Sequence, residues 1–278
     1  MNDTYKKISE YLHQRSISLF SSVRLSDCKI IRPYLLERAE INAESGSAII
    51  IAVPYATESF GNGNISEYAK GLDYHIFFKS LFDDIIPLLK KDFPKAHFAG
   101  FTDHSPIDEI NAAALAGLGI IGRNGLLITE KYSSFVFIGE IITDLTISGL
   151  PSDIKHCEDC GLCISSCPVS CDKAGCLSAL TQKKGQLTEK EQKAIIEFGS
   201  VWGCDICQRA CPHTRAALES GSIYTNIPFF KENTIPTLTY DTVTAMSPEE
   251  FGQRAYSWRG KQTILRNLRI VDGTEKDE

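Results

Sequence analysis

The fold is decided by the stretch Cys157-Glu158-Asp159-Cys160-Gly161-Leu162-Cys163-Ile164-Ser165-Ser166-Cys167-Pro168. Three cysteines follow one another at intervals of two residues, and a fourth comes three residues later, directly before a proline. A second run repeats this ending as Cys204-Asp205-Ile206-Cys207-Gln208-Arg209-Ala210-Cys211-Pro212, and Cys176 lies between the two runs. Eight of the ten cysteines stand at these positions, so the segment is built for thiolate chemistry.

The first run has the spacing of bacterial ferredoxins. In that pattern three thiolates bind one [4Fe–4S] cluster, and the cysteine before the proline binds a neighbouring cluster. The spacing therefore predicts two clusters with crossed ligands. The first cluster is predicted to bind Cys157, Cys160, Cys163 and Cys211, and the second to bind Cys167, Cys176, Cys204 and Cys207.

Zinc and disulfide bonds are the alternatives for these cysteines. Zinc sites use paired Cys-x2-Cys units, whereas a third cysteine at the same interval and a fourth before proline favour iron and sulfide. Disulfides need an oxidising compartment, and residues 1–15 are polar, without the apolar stretch of a signal peptide. Two cysteines stay outside the predicted clusters: Cys28, as an ordinary core or surface thiol, and Cys171, as a spare or alternative ligand.

Composition bounds the class of protein. The 278 residues allow one large domain or two moderate ones, and an apolar share of 43% is ordinary for a soluble globular chain. No apolar run approaches the roughly 20 residues that span a bilayer. A net charge of −6 gives no global attraction to nucleic acid but allows a local basic patch. We expect a soluble cytoplasmic protein without membrane association.

Helical and strand patterns alternate before the first cysteine run. Residues 47–54 are apolar and rich in β-branched side chains, which predicts a buried strand, and residues 74–91 have the apolar face of a helix. Further helices are predicted over 1–45, 107–118 and 182–198, and further strands over 96–101, 125–129 and 134–145. After Pro212 the chain is predicted to be rich in loops, with a helix N-cap at Ser247. The alternation predicts a layered α/β or α+β domain.

A dinucleotide-binding fingerprint, G-x-G-x-x-G, is matched by Gly117, Gly119 and Gly122. That fingerprint requires a strand before the glycines and a helix after them. Here an Ala-rich helix comes first and an apparent strand follows. We therefore interpret these glycines as a helix C-cap and tight turn, where glycine supplies a positive φ, rather than as a nicotinamide or flavin site.

The segment 102–109 is dense in proton-transfer groups and lies between a predicted strand and a predicted helix. Ser105 as the helix N-cap, with Asp108 and Glu109 on the helix dipole, accounts for most of them. Asp103 is left outside the helix, at the carboxyl end of a strand, where open α/β sheets bind ligands. It is the candidate catalytic group that the residues themselves indicate.

A basic run without any acid extends from Phe251 to Val271. Such a run is usually a solvated face, but inside an acidic chain it is also a candidate for binding phosphate. Its basic residues are Arg254, Arg259, Lys261, Arg266 and Arg269.

The ordered motifs of the chain resemble the cobalamin-dependent epoxyqueuosine reductases of queuosine tRNA modification, from about Ser66 to Ile270. The motifs that carry the resemblance are Gly71-x-Asp73-Tyr74-His75, the Asp103 segment, Ala116-Gly117-Leu118-Gly119-x2-Gly122-Arg123-Asn124, Ser134-x3-Ile138-Gly139-Glu140-Ile141-Ile142-Thr143, the two cysteine runs, Cys176-Leu177-Ser178-x-Leu180-Thr181-Gln182-x-Lys184-Gly185, Trp202-Gly203-Cys204-Asp205-x-Cys207-Gln208 and Ser257-Trp258-Arg259-Gly260-Lys261-x4-Arg266-Asn267.

The resemblance implies an α+β fold in three parts. A cobalamin-binding α/β layer domain built like a flavin nitroreductase would occupy residues 1–150. A ferredoxin-like module with two [4Fe–4S] clusters would occupy residues 151–220. A C-terminal segment with the basic helix would occupy residues 221–278.

The same resemblance implies reduction of the epoxide of epoxyqueuosine, at the wobble position of tRNA, to queuosine. A reduced donor such as flavodoxin or ferredoxin would supply electrons through the clusters to cobalt. Asp103 matches the family's general acid, and its pKa should be raised by burial beside the corrin. The cobalamin contacts implied are Ser66, Asp103, Leu127, Ile138, Ser178, Lys184, Cys204 and Asp205.

The chain departs from the family pattern in two places. Its first sixty residues follow the pattern poorly, and we expect it to lack the helical-repeat extension of longer members, which helps to grip tRNA. Two alternatives therefore stay open: a corrinoid and iron–sulfur reductase that acts on a small molecule, and a two-cluster electron-transfer protein without a corrin.

Overall fold

The structure is a computed structural model that describes residues 3–147, 152–169 and 175–273. The chain divides into two compact units. The first unit comprises residues 1–54 and 75–159, and the second comprises residues 55–74 and 160–278. The three-part division at residues 150 and 220 stays a prediction. Within the described ranges, no helix combines the length and the apolar character that a membrane span requires.

A four-stranded antiparallel sheet forms the centre of the first unit. Its strands in chain order are β1 (Phe20–Arg24), β2 (Ser47–Pro54), β3 (Phe98–Phe101) and β6 (Val136–Thr143), and their spatial order is β1-β2-β6-β3. A small hairpin is formed by β4 (Ile120–Ile121) and β5 (Leu127–Ile128). Every residue of β2 is buried, as its apolar sequence predicts for a central strand.

Helices cover both faces of this sheet. The first unit contains α1 (Asp3–His13), α2 (Pro33–Arg38), α3 (Tyr74–Asp92, from His75 onward) and α4 (Glu109–Leu115). On one face, α4 packs its buried alanines against β2 and β6. On the other face, α3 packs so closely that a Cβ on Gly100 or Gly139 would meet the rings of Phe82 or Phe78 at 2.3 Å. These two glycines are therefore required by packing.

The second unit is helical. It contains α5 (Leu162–Ser165), α6 (Leu177–Gln182), α7 (Glu189–Phe198), α8 (Ile206–Arg209), α9 (Pro212–Glu219), α10 (Pro228–Lys231), α11 (Tyr240–Ala245), α12 (Pro248–Gly252) and α13 (Lys261–Asp272). Trp202 and Tyr256 are fully buried in its core. Asn267 of α13, also buried, donates hydrogen bonds to the carbonyl oxygens of Thr181 (2.7 Å) and Val201 (2.8 Å). This side chain fixes the segment that leads into the second cysteine run.

The structure confirms most of the predicted elements and corrects two regions. The strand predicted over 47–54 is present with those bounds, and those predicted over 96–101, 125–129 and 134–145 are present but shorter. Ser247 is an N-cap whose hydroxyl accepts from the N–H of Glu250. Residues 1–45 are not all helical, because β1 interrupts them and obtains its pairing from the distant β2. The region after Pro212 is not mainly loop, since the helices α9 to α13 occupy more than half of its described residues.

Candidate functional site

Asp103 lies two residues beyond the end of β3, so its place after a strand is as predicted. The sheet is antiparallel, so the rule that ligands bind at the carboxyl ends of strands in open α/β sheets does not apply to it. Its backbone has φ +58°, in the left-handed region that few non-glycine residues adopt. Its backbone N–H donates to Oε1 of Glu109 at 2.8 Å. Its carboxylate Oδ2 lies 3.3 Å from Nε2 of His75, and the side chain is 57% exposed. The carboxyl is thus exposed while the backbone N–H is held by Glu109, and burial of Asp103 beside a corrin stays a prediction.

The helix after Asp103 begins later than predicted. The N-cap is Asp108, whose side chain accepts from the N–H of Asn111, and Glu109 is the first helical residue. Ser105 is not the cap: its hydroxyl accepts from the N–H of Ile107 at 3.1 Å. Asp108 has this role because it directly precedes Glu109, whereas Ser105 stands four residues before the helix and is fully buried. The backbone of Ser105 is also held, since its carbonyl accepts from Arg32 at 2.8 Å.

A pair of carboxyl groups, half-buried Glu109 and fully buried Glu140, lies behind Asp103, and the sequence patterns do not predict this pairing. Glu140 of β6 is 0% exposed. Burial raises the pKa of Glu140 well above its usual range, and the Glu109 charge adds to the effect. Burial also raises the pKa of Glu109 to about 7, with a further contribution from Asp103. A charged residue in an otherwise apolar strand, Ile138-Gly139-Glu140-Ile141-Ile142, was the sequence signal for this pair.

Two of the predicted corrin contacts lie in the same unit as Asp103. Leu127 of β5 is buried in the core beside the sheet, and Ile138 of β6 packs against the same core. The carbonyl of Ile138 accepts from the hydroxyl of Thr102 at 2.7 Å, which ties the strand to the segment that carries Asp103. The first unit therefore contains all three of these predicted contacts, with Asp103 exposed and Leu127 buried.

Three more predicted contacts, Ser66, Cys204 and Asp205, line one cleft in the second unit. The hydroxyl of Ser66 donates to Oδ1 of Asp205 at 2.5 Å, and the N–H of Glu67 donates to Oδ2 at 2.7 Å. Gln208 adds a third hydrogen bond at 2.9 Å. Burial raises the pKa of the Asp205 carboxyl, although the hydrogen bonds from Ser66 and Glu67 oppose that rise. This buried network fixes the start of α8, on which Cys207 stands.

A close backbone approach holds this cleft together. Ser66 N–H donates to the carbonyl of Trp202 at 2.8 Å. The next residue, Gly203, has φ +71°, and a Cβ there would meet Cβ of Ser66 at 2.5 Å. Glycine is required at this position both for its conformation and for its lack of a side chain. Its N–H donates to Thr181 of α6 at 2.9 Å.

The two remaining predicted contacts are on or after α6. Ser178 accepts from the side-chain amide of Gln182 at 3.0 Å. Lys184 follows the helix and is exposed to solvent. Both lie in the second unit with Ser66, Cys204 and Asp205. Neither Ser178 nor Lys184 lines the cleft formed by those three residues, and all five corrin contacts stay predictions.

All nine cysteines that the structure describes are free thiols, so none of them forms a disulfide. Cys171 lies outside the described residues. Burial raises the pKa of Cys204 to about 11, and the thiolates of Cys176 and Cys167 contribute to the rise. Three of the four ligands predicted for the second cluster therefore lie near one another in the second unit. Cys207 stands on α8, three residues beyond Cys204.

The first predicted quartet starts in the first unit. Cys157 accepts a hydrogen bond at its sulfur from the N–H of Arg123 at 3.3 Å. Such backbone donors are typical of cluster thiolates and help to set their potential. Within residues 3–147, 152–169 and 175–273, no three His, Cys, Asp or Glu side chains converge closely enough to hold a single metal ion. Both quartets accordingly stay predictions from the spacing, and a set of free thiols is the donor chemistry that iron–sulfur clusters require.

The other sequence motifs have structural roles. Gly117 follows α4 with φ +78°, and the β4–β5 hairpin comes next, so the dinucleotide fingerprint lacks the helix that it needs. Much of the basic run is also used within the fold. Arg254 is buried and donates to the carbonyl of Asn233 at 2.6 Å, and Arg266 donates to the carbonyl of Lys183 at 2.6 Å. Cys28 lies at the edge of the first core, and burial raises its pKa to about 12.

No model of a protein family matches the chain, whereas individual curated proteins do. The epoxyqueuosine reductase of Gloeobacter violaceus is 31% identical over 216 residues, which cover 74% of this chain and 68% of that protein. The epoxyqueuosine reductase of Lactococcus garvieae is 29% identical over 233 residues, which cover 81% and 65% respectively. The chain thus spans about two thirds of the length of these curated relatives.

Two solved structures share the fold. The structure of epoxyqueuosine reductase from Streptococcus thermophilus has a TM-score of 0.75 and 24% identity, and the match covers 97% of this chain and 81% of that one. A crystal structure of an epoxyqueuosine reductase with an epoxyqueuosine-modified tRNA-Tyr stem loop has a TM-score of 0.74 and 22% identity, over 96% and 81%. Both matches extend through the mixed helix and strand architecture of almost the whole chain.

Proposed function

This chain belongs to the epoxyqueuosine reductase family, and we propose that it reduces the epoxide of epoxyqueuosine in tRNA to queuosine. The reaction takes in two electrons and two protons, converts the two epoxide C–O bonds into a C=C bond, and releases one water. The observation that supports the proposal is Asp103, whose exposed carboxyl lies beside His75 and whose backbone N–H donates to Glu109. A positioned acid of this kind is what the departing oxygen of an epoxide requires.

The proposed role of Asp103 is to deliver a proton to the epoxide oxygen as the C–O bond breaks. An alkoxide is a poor leaving group, so a positioned acid lowers the barrier to its departure. His75, 3.3 Å from the carboxylate, orients Asp103 and can return the proton from solvent after each turnover. Substrate and cofactor would also exclude water from a side chain that is now 57% exposed, and that burial favours the protonated acid.

The proposed cofactors are cobalamin and two [4Fe–4S] clusters. Cobalamin, when bound, supplies low-valent cobalt, which is a strong reductant and nucleophile. In the first unit, Asp103, Leu127 and Ile138 would contact it. In the second unit, the contacts would come from Ser66, Ser178, Lys184, Cys204 and Asp205. The eight cysteines would bind the clusters in their two predicted quartets. The clusters would carry electrons from a reduced donor such as flavodoxin or ferredoxin to the cobalamin.

The proposed macromolecular partner is the anticodon arm of tRNA, the class of ligand bound in one of the related structures. The second unit offers an exposed aromatic surface suited to it, at Trp258. Trp258 is 57% exposed, and the guanidinium of Arg259 lies 3.8 Å from the centre of its ring. Unpaired RNA bases stack on such aromatic and guanidinium groups.

The test is a single-turnover conversion. The chain is reconstituted anaerobically with iron, sulfide and cobalamin, reduced chemically, and mixed with an epoxyqueuosine-containing tRNA stem loop. Mass spectrometry of the digested nucleosides should show the loss of one oxygen atom. If the protein carries both cofactors and the epoxide persists, the proposed substrate is wrong, and a reductase of small molecules becomes the better interpretation.

A further inference from the structure

The carboxyl pair of Glu109 and Glu140 has an unusual position. Glu140 stands in the middle of β6, opposite Ile50 of β2 and Phe101 of β3 in the sheet register. Residues directly opposite one another in antiparallel strands point to the same face, so Glu140 lies between two apolar side chains. It is 0% exposed, and neither of its carboxyl oxygens accepts a hydrogen bond of good geometry in the described part of the chain. A fully ionised carboxylate is costly in such a place.

The polar groups that lie against Glu140 are the carboxyl group of Glu109 and the hydroxyl of Ser105. Two carboxylates in contact cannot both be ionised without strong repulsion, so such a pair retains a proton between them. An oxygen of Glu140 has no hydrogen-bond donor only when both carboxyl groups are treated as ionised. A shared proton supplies the missing hydrogen bond and removes one of the two charges.

The same pair reaches the proposed general acid. Oε1 of Glu109 accepts the backbone N–H of Asp103 at 2.8 Å. Asp103 is in the left-handed conformation, with φ +58°, which a non-glycine residue retains only when its surroundings impose it. The hydrogen bond from Glu109 is therefore one of the contacts that impose this backbone conformation and direct the Asp103 carboxyl outward.

We propose that Glu109 and Glu140 form a proton-sharing carboxyl pair whose single negative charge positions Asp103. Its role in catalysis rests on the proposed function, whereas the shared proton does not. With one proton, the pair keeps a charged acceptor for the Asp103 N–H. With two protons, that acceptor loses its charge and the hydrogen bond weakens. With none, repulsion drives the two carboxylates apart and moves Glu109 away from the loop.

The other charged or titratable groups that act on the pair are few. Arg32 and Asp103 act on Glu109, in opposite directions, and Asp103 also acts on Glu140. Cys28 is affected by the charge of Glu140. Since burial and mutual repulsion raise the pKa of both carboxyl groups, that of Glu109 to about 7, the pair keeps at least one proton at neutral pH and holds a single proton once the pH rises above 7.

The first experiment is infrared difference spectroscopy of the full-length protein at neutral pH in H2O and D2O. The wild type should show the carbonyl stretch of one buried protonated carboxylic acid. Glu140→Gln, which is isosteric, should abolish that band. Glu130→Gln is the matched control, because Glu130 is exposed and lies in the same unit. A wild-type spectrum without a protonated-acid band would overturn the proposal.

The second experiment measures hydrogen exchange at the backbone amide of Asp103. A loss of packing in another part of the fold would leave this exchange rate unchanged. Glu109→Ala removes the acceptor and should reduce the protection of this amide about tenfold, as expected for one charge-assisted hydrogen bond. Glu109→Gln retains an acceptor oxygen and should rescue part of the protection. Unchanged protection in Glu109→Ala would contradict the positioning role, provided that circular dichroism shows a folded variant.

Neither measurement needs substrate or cofactor, so the two proposals can fail separately. If the acid band and the amide protection behave as stated but epoxyqueuosine is not reduced, the pair is real and the proposed function is wrong. If reduction proceeds normally in Glu109→Ala and Glu140→Gln across the pH range from 5 to 8, the pair has no part in positioning the acid.

Discussion

Replacing Gly203 by alanine should destabilise the second unit through a specific collision. The added Cβ would lie 2.5 Å from Cβ of Ser66, the residue whose hydroxyl donates to buried Asp205. The left-handed φ of +71° costs an alanine roughly 1–2 kcal/mol. Forcing a methyl group into a packed site costs about 1–3 kcal/mol more, and the stiffer unfolded chain returns about 0.4–1 kcal/mol. The expected loss in the free energy of unfolding is about 2–4 kcal/mol.

Gly199→Ala is the matched control. Gly199 caps α7 with φ +60°, but a Cβ there meets no atom within 4 Å. It should therefore lose about 1 kcal/mol, from backbone conformation only. Urea unfolding followed by circular dichroism measures both values, and cobalamin retention after gel filtration reports on the cleft. Equal losses of unfolding free energy in the two variants would show that Gly203 and Ser66 do not approach each other closely in this cleft.

Three further predictions concern the acid, the carboxyl pair and the aromatic surface. Asp103→Asn should keep both cofactors and lose at least about 100-fold in turnover, the usual contribution of a general acid, measured by nucleoside mass spectrometry; full activity would exclude the acid role. Folding raises the pKa of Glu109 from 4.5 to about 7, so the folded protein favours the protonated side chain. The stabilisation that this gives is complete below pH 4.5 and is lost as the pH rises through 7. Between pH 5 and pH 8, the free energy of unfolding of the wild type should fall by up to about 3 kcal/mol more than that of the double variant Glu109→Gln with Glu140→Gln. Urea titrations at a series of pH values measure both, and the same pH dependence in the two proteins would refute this. Trp258→Ala should weaken binding of the tRNA stem loop by about 1–3 kcal/mol in a fluorescence titration, whereas Ile196→Ala, at an equally exposed position, should leave binding unchanged.

The features that sequence patterns reveal best are those set by local spacing. The cysteine runs, the N-cap at Ser247 and the buried strand β2 all depend on neighbours within a few residues, and the last two are present in the structure. Asp103 was found because strand, turn and helix signals place it at an edge of the sheet.

The features that escaped depend on partners far apart in sequence. Ser66 and Asp205 are joined by a hydrogen bond across 139 positions, and β1 becomes a strand only by pairing with β2. Glu109 and Glu140 are ordinary acids until the register of β6 places one of them inside the sheet. The sequence shows no partners for the arginines of the basic run, whereas in the fold Arg254 and Arg266 donate hydrogen bonds to backbone carbonyl groups. Burial and long-range pairing cannot be read from local periodicity.

The most direct test of the account is the metal content of the intact chain after anaerobic reconstitution and removal of unbound cofactor. Elemental analysis should give close to eight iron atoms and one cobalt atom per chain, with the absorption spectrum of a bound corrin. A chain that retains iron but no cobalt would be an electron carrier rather than a reductase, and four iron atoms or fewer would contradict the double quartet of thiolates.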